Sequence, residues 1–243
     1  MKTPNEANST IDKRSFCFGS AGLLLAASTA SAQTPTADPL PSVSPQYVVT
    51  YFEVAPAAAA PVARLARDYR AAAARETGAA PFDLFQGAYL PYHFACVGQW
   101  SDTKAFTTHS EGAAAKAFRT ALANVLIAPY DERRHHALEM GQAGPAKGGI
   151  VTITHVDIIP THRDTGIASV KTITAESRGL PGCLRFDALT QTARPNHMTI
   201  VQAWRDDAAY RRYIVSSLSK AFRESLLVRS GSLYDERYYR PLV

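Results

Sequence analysis

The sequence predicts an α+β protein: two tandem βαββαβ domains whose sheets close on each other into one barrel. A repeat carries that expectation first. Tyr130-Asp131-Glu132-Arg133 recurs as Tyr234-Asp235-Glu236-Arg237, and an offset of 104 aligns residues 47–138 with 151–242 without a gap. Twenty-two of those 92 pairs are identical, where ordinary composition gives about one in fifteen. A period of this size is a domain, not a solenoid unit. The second observation is the element order within each copy: strand, helix, strand, strand, helix, strand. The third is physical. A four-stranded sheet with helices on one face leaves the other face bare, and a domain of about 100 residues cannot leave such a face in water. The twin in the same chain is the available cover.

Taken in order, Tyr47 to Val54 and Val151 to Ile158 are rich in β-branched and aromatic residues and end at Pro56 and Pro160, as strands do. Pro61 suits a first helical turn, and Val62, Leu65, Tyr69 and Ala73 follow on a helical stripe. In the second copy Asp164 reads as the N-cap, with Ile167, Val170 and Ile173 as the stripe. Gly78 and Gly182 read as the ends of these helices. Phe82–Tyr89 and His93–Trp100 form a hairpin around Leu90-Pro91, matched by Arg194-Pro195-Asn196. Asp102 and Asp206 fall where N-caps belong. Ala114, Phe118 and Leu122 share a helix face, as do Leu218, Phe222 and Leu226. The YDER segments open the last strands. This order is the ferredoxin-like arrangement.

Residues 1–32 read as a signal segment: Lys13-Arg14, then the apolar run Phe16–Ala27, then Ala30-Ser31-Ala32. The run is too short to span a bilayer. The expected destination is the periplasm or the exterior, by an export route that resembles the twin-arginine type. A Pro-rich leader covers 33–46, domain one 47–138, a Gly-rich tie 139–149 and domain two 150–243. The net charge of +5 is spread without a basic run, which gives nucleic-acid binding little support. Cys96 and Cys183 are not repeat equivalents and read as small buried residues, with a disulfide left open. No Cys/His spacing for a metal is present.

Pro91-x-His93, Trp100-Ser101-Asp102, Ala105-Phe106, His109 and Phe118 together resemble the antibiotic biosynthesis monooxygenase domain of the dimeric α/β-barrel superfamily. Gly179–Leu184, Arg194–Met198, Trp204 and Phe222 carry the resemblance through the second copy. It implies an intramolecular version of a barrel that single-domain members build as dimers, so the chain is expected as a monomeric pseudo-dimer or a homodimer. It also implies oxidation of phenols or quinols by molecular oxygen with no metal, flavin or other cofactor. Haem degradation is disfavoured. That branch's Trp position holds His109 and Tyr213, and its iron-ligating His position holds Arg119 and Arg223.

The resemblance makes His109 the candidate base, with Trp100 and Tyr51 holding an aromatic substrate and Arg119 balancing charge. The alternatives are an exposed or capping His109 and a Trp100 that only packs the sheet against the helices. Period-two reading of the first strands places Tyr51 with Glu53, and His155 with Asp157, on one face, where polar groups fit a wet barrel. His155, Asp157, Trp204 and Tyr213 would line a second pocket. The YDER pairs read as a contact across the pseudo-twofold, Asp131 or Glu132 with Arg237 and Arg133 with Asp235 or Glu236. The function expected is oxygenation of a small phenol or quinol. The alternative is a binding protein for a small aromatic or lipophilic ligand, or a haem-handling protein.

Overall fold

The computed structural model describes residues 44–142 and 149–243. The signal segment, most of the leader and residues 143–148 of the tie lie outside the described residues.

The first copy runs β1 (Gln46–Glu53), a 3-10 turn (Pro56–Ala58), α1 (Ala59–Ala73), β2 (Ala79–Gly87), β3 (His93–Trp100), α2 (Thr103–Glu111), α3 (Ala113–Ala123) and β4 (Asp131–Glu139). The second repeats it as β5 (Ile150–Asp157), a 3-10 turn (Pro160–His162), α4 (Arg163–Ser177), β6 (Cys183–Gln191), β7 (His197–Trp204), α5 (Asp207–Ile214), α6 (Ser217–Leu226) and β8 (Asp235–Pro241). The predicted second helix is therefore two short ones in each copy. Asp102 and Asp206 cap α2 and α5, accepting from the amides of Ala105 and Ala209 at 2.8 and 2.7 Å.

Two boundary expectations are corrected. Asp164 does not cap α4: the helix begins at Arg163, with His162 at the cap position, and Asp164 lies inside the first turn, where its charge suits the helix dipole. Gly78 and Gly182 do not end α1 and α4, which stop at Ala73 and Ser177. They sit beyond, at φ +80° and +88°, where a Cβ would meet that of Ala105 at 2.9 Å or Ala209 at 2.6 Å. Both left-handed backbone and close approach require glycine there.

The eight strands form one closed barrel in the order β1-β3-β2-β8-β5-β7-β6-β4. The copies join at two antiparallel seams, β2 with β8 and β4 with β6. Closure removes every free sheet edge. Strand alternation sorts the side chains. Tyr47, Val49, Tyr51, Ala95 and Val97 face inward, with Val151, Ile153, Val201 and Tyr239 from the second copy, as one shared core. Phe52, Phe94 and Cys96 face outward, against Val62, Ala66, Tyr69, Phe118 and Leu122 of α1 and α3. The second copy has its own sheet–helix core around Val170, Ile173, Phe186, Ile200 and Trp204. The expectation that each bare sheet hides against its twin holds. Cys96 is buried, Cys183 half-buried, and both are free. Among the described residues no helix is long and apolar enough to cross a membrane.

Candidate active site

The sheet–helix layer of the first copy holds an array of three side chains, Tyr69 and His109 buried and Glu76 half-buried. His109, in the last turn of α2, is 4 % exposed. Its Nδ1 lies 2.5 Å from Glu76 Oε2, and its Nε2 lies 2.7 Å from the hydroxyl of Tyr69 on α1. A carboxylate only accepts, so Nδ1 carries the proton in a neutral ring and Nε2 accepts from Tyr69. Burial pushes the Tyr69 phenol well above its ordinary range, which keeps it protonated and donating. Its ring is fixed by stacking on Phe118 at 4.3 Å and by an edge contact with Phe82 at 5.5 Å. Trp100, at the end of β3, lies 4.8 Å from the His109 ring and 5.0 Å from Phe106. These groups surround a cavity of about 10 Å³, lined also by Thr50, Gly98, Tyr130 and Glu132, which is room for roughly one water. Tyr130 also lines an outer pocket of about 370 Å³ beside Phe52, Pro129 and Arg237. It is the residue the two linings share.

The second copy lacks this array. Offset by 104, Tyr69, Glu76 and His109 become Ile173, Leu180 and Tyr213. Gly98 becomes Gln202, whose Oε1 accepts from the Trp204 indole at 3.1 Å. Phe106 becomes Tyr210, which donates to Glu236 at 2.8 Å. Tyr213 is buried against Trp204 with ring centres 4.8 Å apart.

The antibiotic biosynthesis monooxygenase profile matches residues 45–121 and 149–225, once in each copy. The chain belongs to the antibiotic biosynthesis monooxygenase family. Its barrel is similar to that of a proposed monooxygenase from Fusobacterium nucleatum (TM-score 0.73, 15% identity, 84% of this chain and 94% of that one). A proposed monooxygenase from Lactobacillus acidophilus is similar at TM-score 0.68 and 14% identity, covering 82% and 95%. An anthrone oxidase-like protein follows at TM-score 0.65 and 12% identity, covering 81% and 91%. At these identities the likeness is one of fold. No curated protein matches the sequence significantly.

Several expectations for this monooxygenase-family chain are corrected by side-chain direction. Tyr51 does not converge with His109 and Trp100. Alternation turns Tyr51 into the barrel, while Trp100 points to the helices. For the same reason His155 does not converge with Trp204 and Tyr213. Instead Tyr51 and His155, repeat equivalents, meet inside the barrel with ring centres 5.3 Å apart. Asp157 pairs with His197 at 3.3 Å and not with His155, and Glu53 pairs with His93 at 3.6 Å. These are cross-strand neighbours in register. The YDER acids do not cross the pseudo-twofold: Arg133 binds its own Asp131 and Arg237 its own Asp235. What crosses is guanidinium to ring. Arg237 lies 5.2 Å from the Tyr51 centroid of the other copy, and Arg133, itself 5.3 Å from Tyr51 of its own copy, donates to His155 Nε2 at 3.0 Å. Arg119 donates to the Ser110 carbonyl at 2.5 Å, clasping the break between α2 and α3. Arg223 does the same to Ile214 in the copy without the array, so the clasp is structural.

Sequence reasoning missed Glu76 and Tyr69. A signal was present, since both change together with His109 between the copies. It also missed a chain inside the barrel. Arg133 can only donate and its carbonyl can only accept, so one polarity satisfies every link. The Arg133 guanidinium donates to His155 Nε2, His155 Nδ1 to the Thr199 hydroxyl, that hydroxyl to His135 Nε2, and His135 Nδ1 to the Arg133 carbonyl. Burial, with the nearby Arg133 charge, pulls His155 down to about 3. Burial chiefly pulls His135 down to about 4. Both rings are therefore neutral at pH 7. Among the described residues no group of three or more His, Cys, Asp or Glu side chains could hold a metal ion.

Proposed function

We propose that the protein is an exported, cofactor-independent oxygenase of small phenols or quinols, working in the sheet–helix layer of its first copy. The observation that carries this reading is the Glu76–His109–Tyr69 array. It is a buried imidazole with its tautomer fixed by a carboxylate and a phenol hydroxyl already on its free nitrogen. That is the arrangement a general base needs to take a phenolic proton. Tyr69 passes the proton on: its oxygen accepts from the substrate hydroxyl as its own proton goes to His109 Nε2. Glu76 stabilises the imidazolium that results.

The deprotonated ring is electron-rich at carbon and gives one electron to oxygen. Recombination of the radical pair forms a carbon–oxygen bond, and the peroxide takes back the proton held on His109 by way of Tyr69. The hydroperoxide then loses the ring hydrogen as a proton and its outer oxygen as hydroxide, together one water. For hydroquinone the balance is one quinol plus one O₂ to one hydroxyquinone plus one water, with no outside reductant. The inner cavity admits about one water as it stands, so a ring enters only when Tyr130 turns and joins it to the outer pocket.

The test is oxygen uptake with hydroquinone by metal-stripped protein beginning at Gln33. The reading predicts uptake in the parent and its loss in His109→Ala. No uptake above the blank, or full uptake by His109→Ala, removes it. Export is tested separately, by whether the protein recovered from outside the cytoplasm begins at Gln33.

One observation favours a second reading, a carrier for a small aromatic ligand. A pocket of about 600 Å³ opens at the barrel end of the second copy beside His155, Arg133, Arg194 and His197, away from the array. It predicts thermal stabilisation by the ligand without turnover.

A further inference from the structure

The last strand of each copy carries an acid and, two residues on, a second side chain on the same face. In the first copy these are Glu132 and Arg134, and the Arg134 guanidinium lies over the Phe106 ring at 4.8 Å. In the second they are Glu236 and Tyr238, with Tyr210 in place of Phe106. The acid and the aromatic ring remain, and a phenol stands where the cation was. Tyr210 donates to Glu236 Oε2 at 2.8 Å, the Tyr238 hydroxyl lies 3.4 Å from the same oxygen, and Thr154 donates to Oε1 at 3.3 Å. These hydroxyls occupy the oxygens of the half-buried carboxylate and supply no countercharge.

Glu236 and Tyr238 line a pocket of about 330 Å³ at the seam between β2 and β8. The two strands pair over Phe85–Gly87 and Tyr239–Pro241, and the pocket opens where that pairing ends. Tyr89, 73 % exposed, meets Tyr238 there with ring centres 5.8 Å apart and planes at 63°, a corner of two aromatic walls. Tyr239 and Glu53 also line it. The charge balance is negative. Arg237 is in the lining, but Asp235 matches it at 3.2 Å, and Glu53 has His93 at 3.6 Å. At the other seam the positions of Tyr89, Leu90 and Tyr238 hold Ala193, Arg194 and Arg134, so this aromatic and acidic character belongs to one seam.

We propose that the pocket binds a small quaternary ammonium ion, which supplies the positive charge that Arg134 supplies in the first copy. Tyrosine rings attract a cation through their quadrupole, and a half-buried carboxylate acts on it through less water than an exposed one. Because hydroxyls already occupy the Glu236 oxygens, the ion has to bring charge and not N–H donors. A methylated ammonium does so and buries its methyl groups against the rings. The site shares no lining residue with the cavity around His109 and does not depend on the oxygenase reading.

The probe is choline, titrated calorimetrically into the protein at constant ionic strength, with its uncharged isostere 3,3-dimethylbutan-1-ol as control. Choline should bind saturably in the millimolar range or tighter, and the alcohol at least about tenfold more weakly. Glu236→Gln should weaken choline binding about tenfold. Tyr89→Leu, at an exposed position that leaves the fold intact, should weaken it about twofold to fivefold. Tyr238→Arg, which installs the cation of the first copy, should abolish it. Equal binding of the alcohol, unchanged choline affinity in Tyr89→Leu or in Glu236→Gln, or no saturation at millimolar choline would each overturn the proposal.

Discussion

His109 can serve as a base only while its proton sits on Nδ1, and Glu76 is what holds it there at 2.5 Å. Glu76→Gln keeps an acceptor but removes the charge that stabilises the imidazolium. It should lower kcat about tenfold to a hundredfold with KM unchanged, while His109→Ala should cost about a hundredfold to ten-thousandfold. Tyr213→Phe, at the equivalent position of the second copy, should leave kcat unchanged. Steady-state oxygen-uptake kinetics on the three variants check all of this, and an equal loss in Tyr213→Phe would mean that the halves are not divided as argued. Of these residues the sequence exposes His109, with Trp100 beside it, because the resemblance to the family marks both positions. Glu76 is not legible in the same way. It lies in the turn after α1, 33 residues from His109, and only folding brings the two together. What the sequence does hold is a coincidence: the residues at 69, 76 and 109 are all lost together at 173, 180 and 213.

At the scale of elements, caps and backbone chirality decide where segments begin. Asp102 and Asp206 are legible as caps because each precedes a helical stripe, and both accept from the amide three residues on. Asp102→Ala should cost about 1 kcal/mol of stability, read as a shift in the urea midpoint, and should leave the barrel intact. Asp164 misleads because the Pro160 turn starts the helix earlier than its side chain suggests. Gly182 is legible as punctuation but not as to its purpose. Its left-handed backbone lets β6 begin hard against α5, so Gly182→Ala meets both strain and overlap with Ala209. The expected cost is about 1–3 kcal/mol, measured by the same unfolding curve. Side-chain direction across a strand was half legible: alternation separates Tyr51 from its neighbours, but which face meets the helices depends on the partner sheet.

The described strands form a barrel closed by duplication, and its interior carries polar side chains that the helix-facing layers do not need. The YDER repeat makes sense at this scale. Each Arg is held by its own Asp, leaving both guanidinium groups beside the Tyr51 and His155 rings where the copies meet. The chain from Arg133 through His155 and Thr199 to His135 is satisfied only with both imidazoles neutral. His135, fully buried, has its folded-state pKa lowered to about 4, and His155 to about 3. In the unfolded chain both titrate near 6.5. Below about pH 6.5 the unfolded state therefore binds protons that the folded state refuses, and stability falls as pH falls, down to about pH 3–4. For His135 alone the full loss is about 3 kcal/mol, from the two or three units separating the states. Between pH 6.5 and 5 the two imidazoles take up protons in the unfolded chain and not in the folded one. Urea midpoints measured at pH 7, 6 and 5 should decline, and His135→Asn should flatten the decline even though it lowers stability at pH 7. A midpoint constant from pH 7 to 5 would mean that protons reach the barrel interior without unfolding it, and that the interior chain is open to solvent.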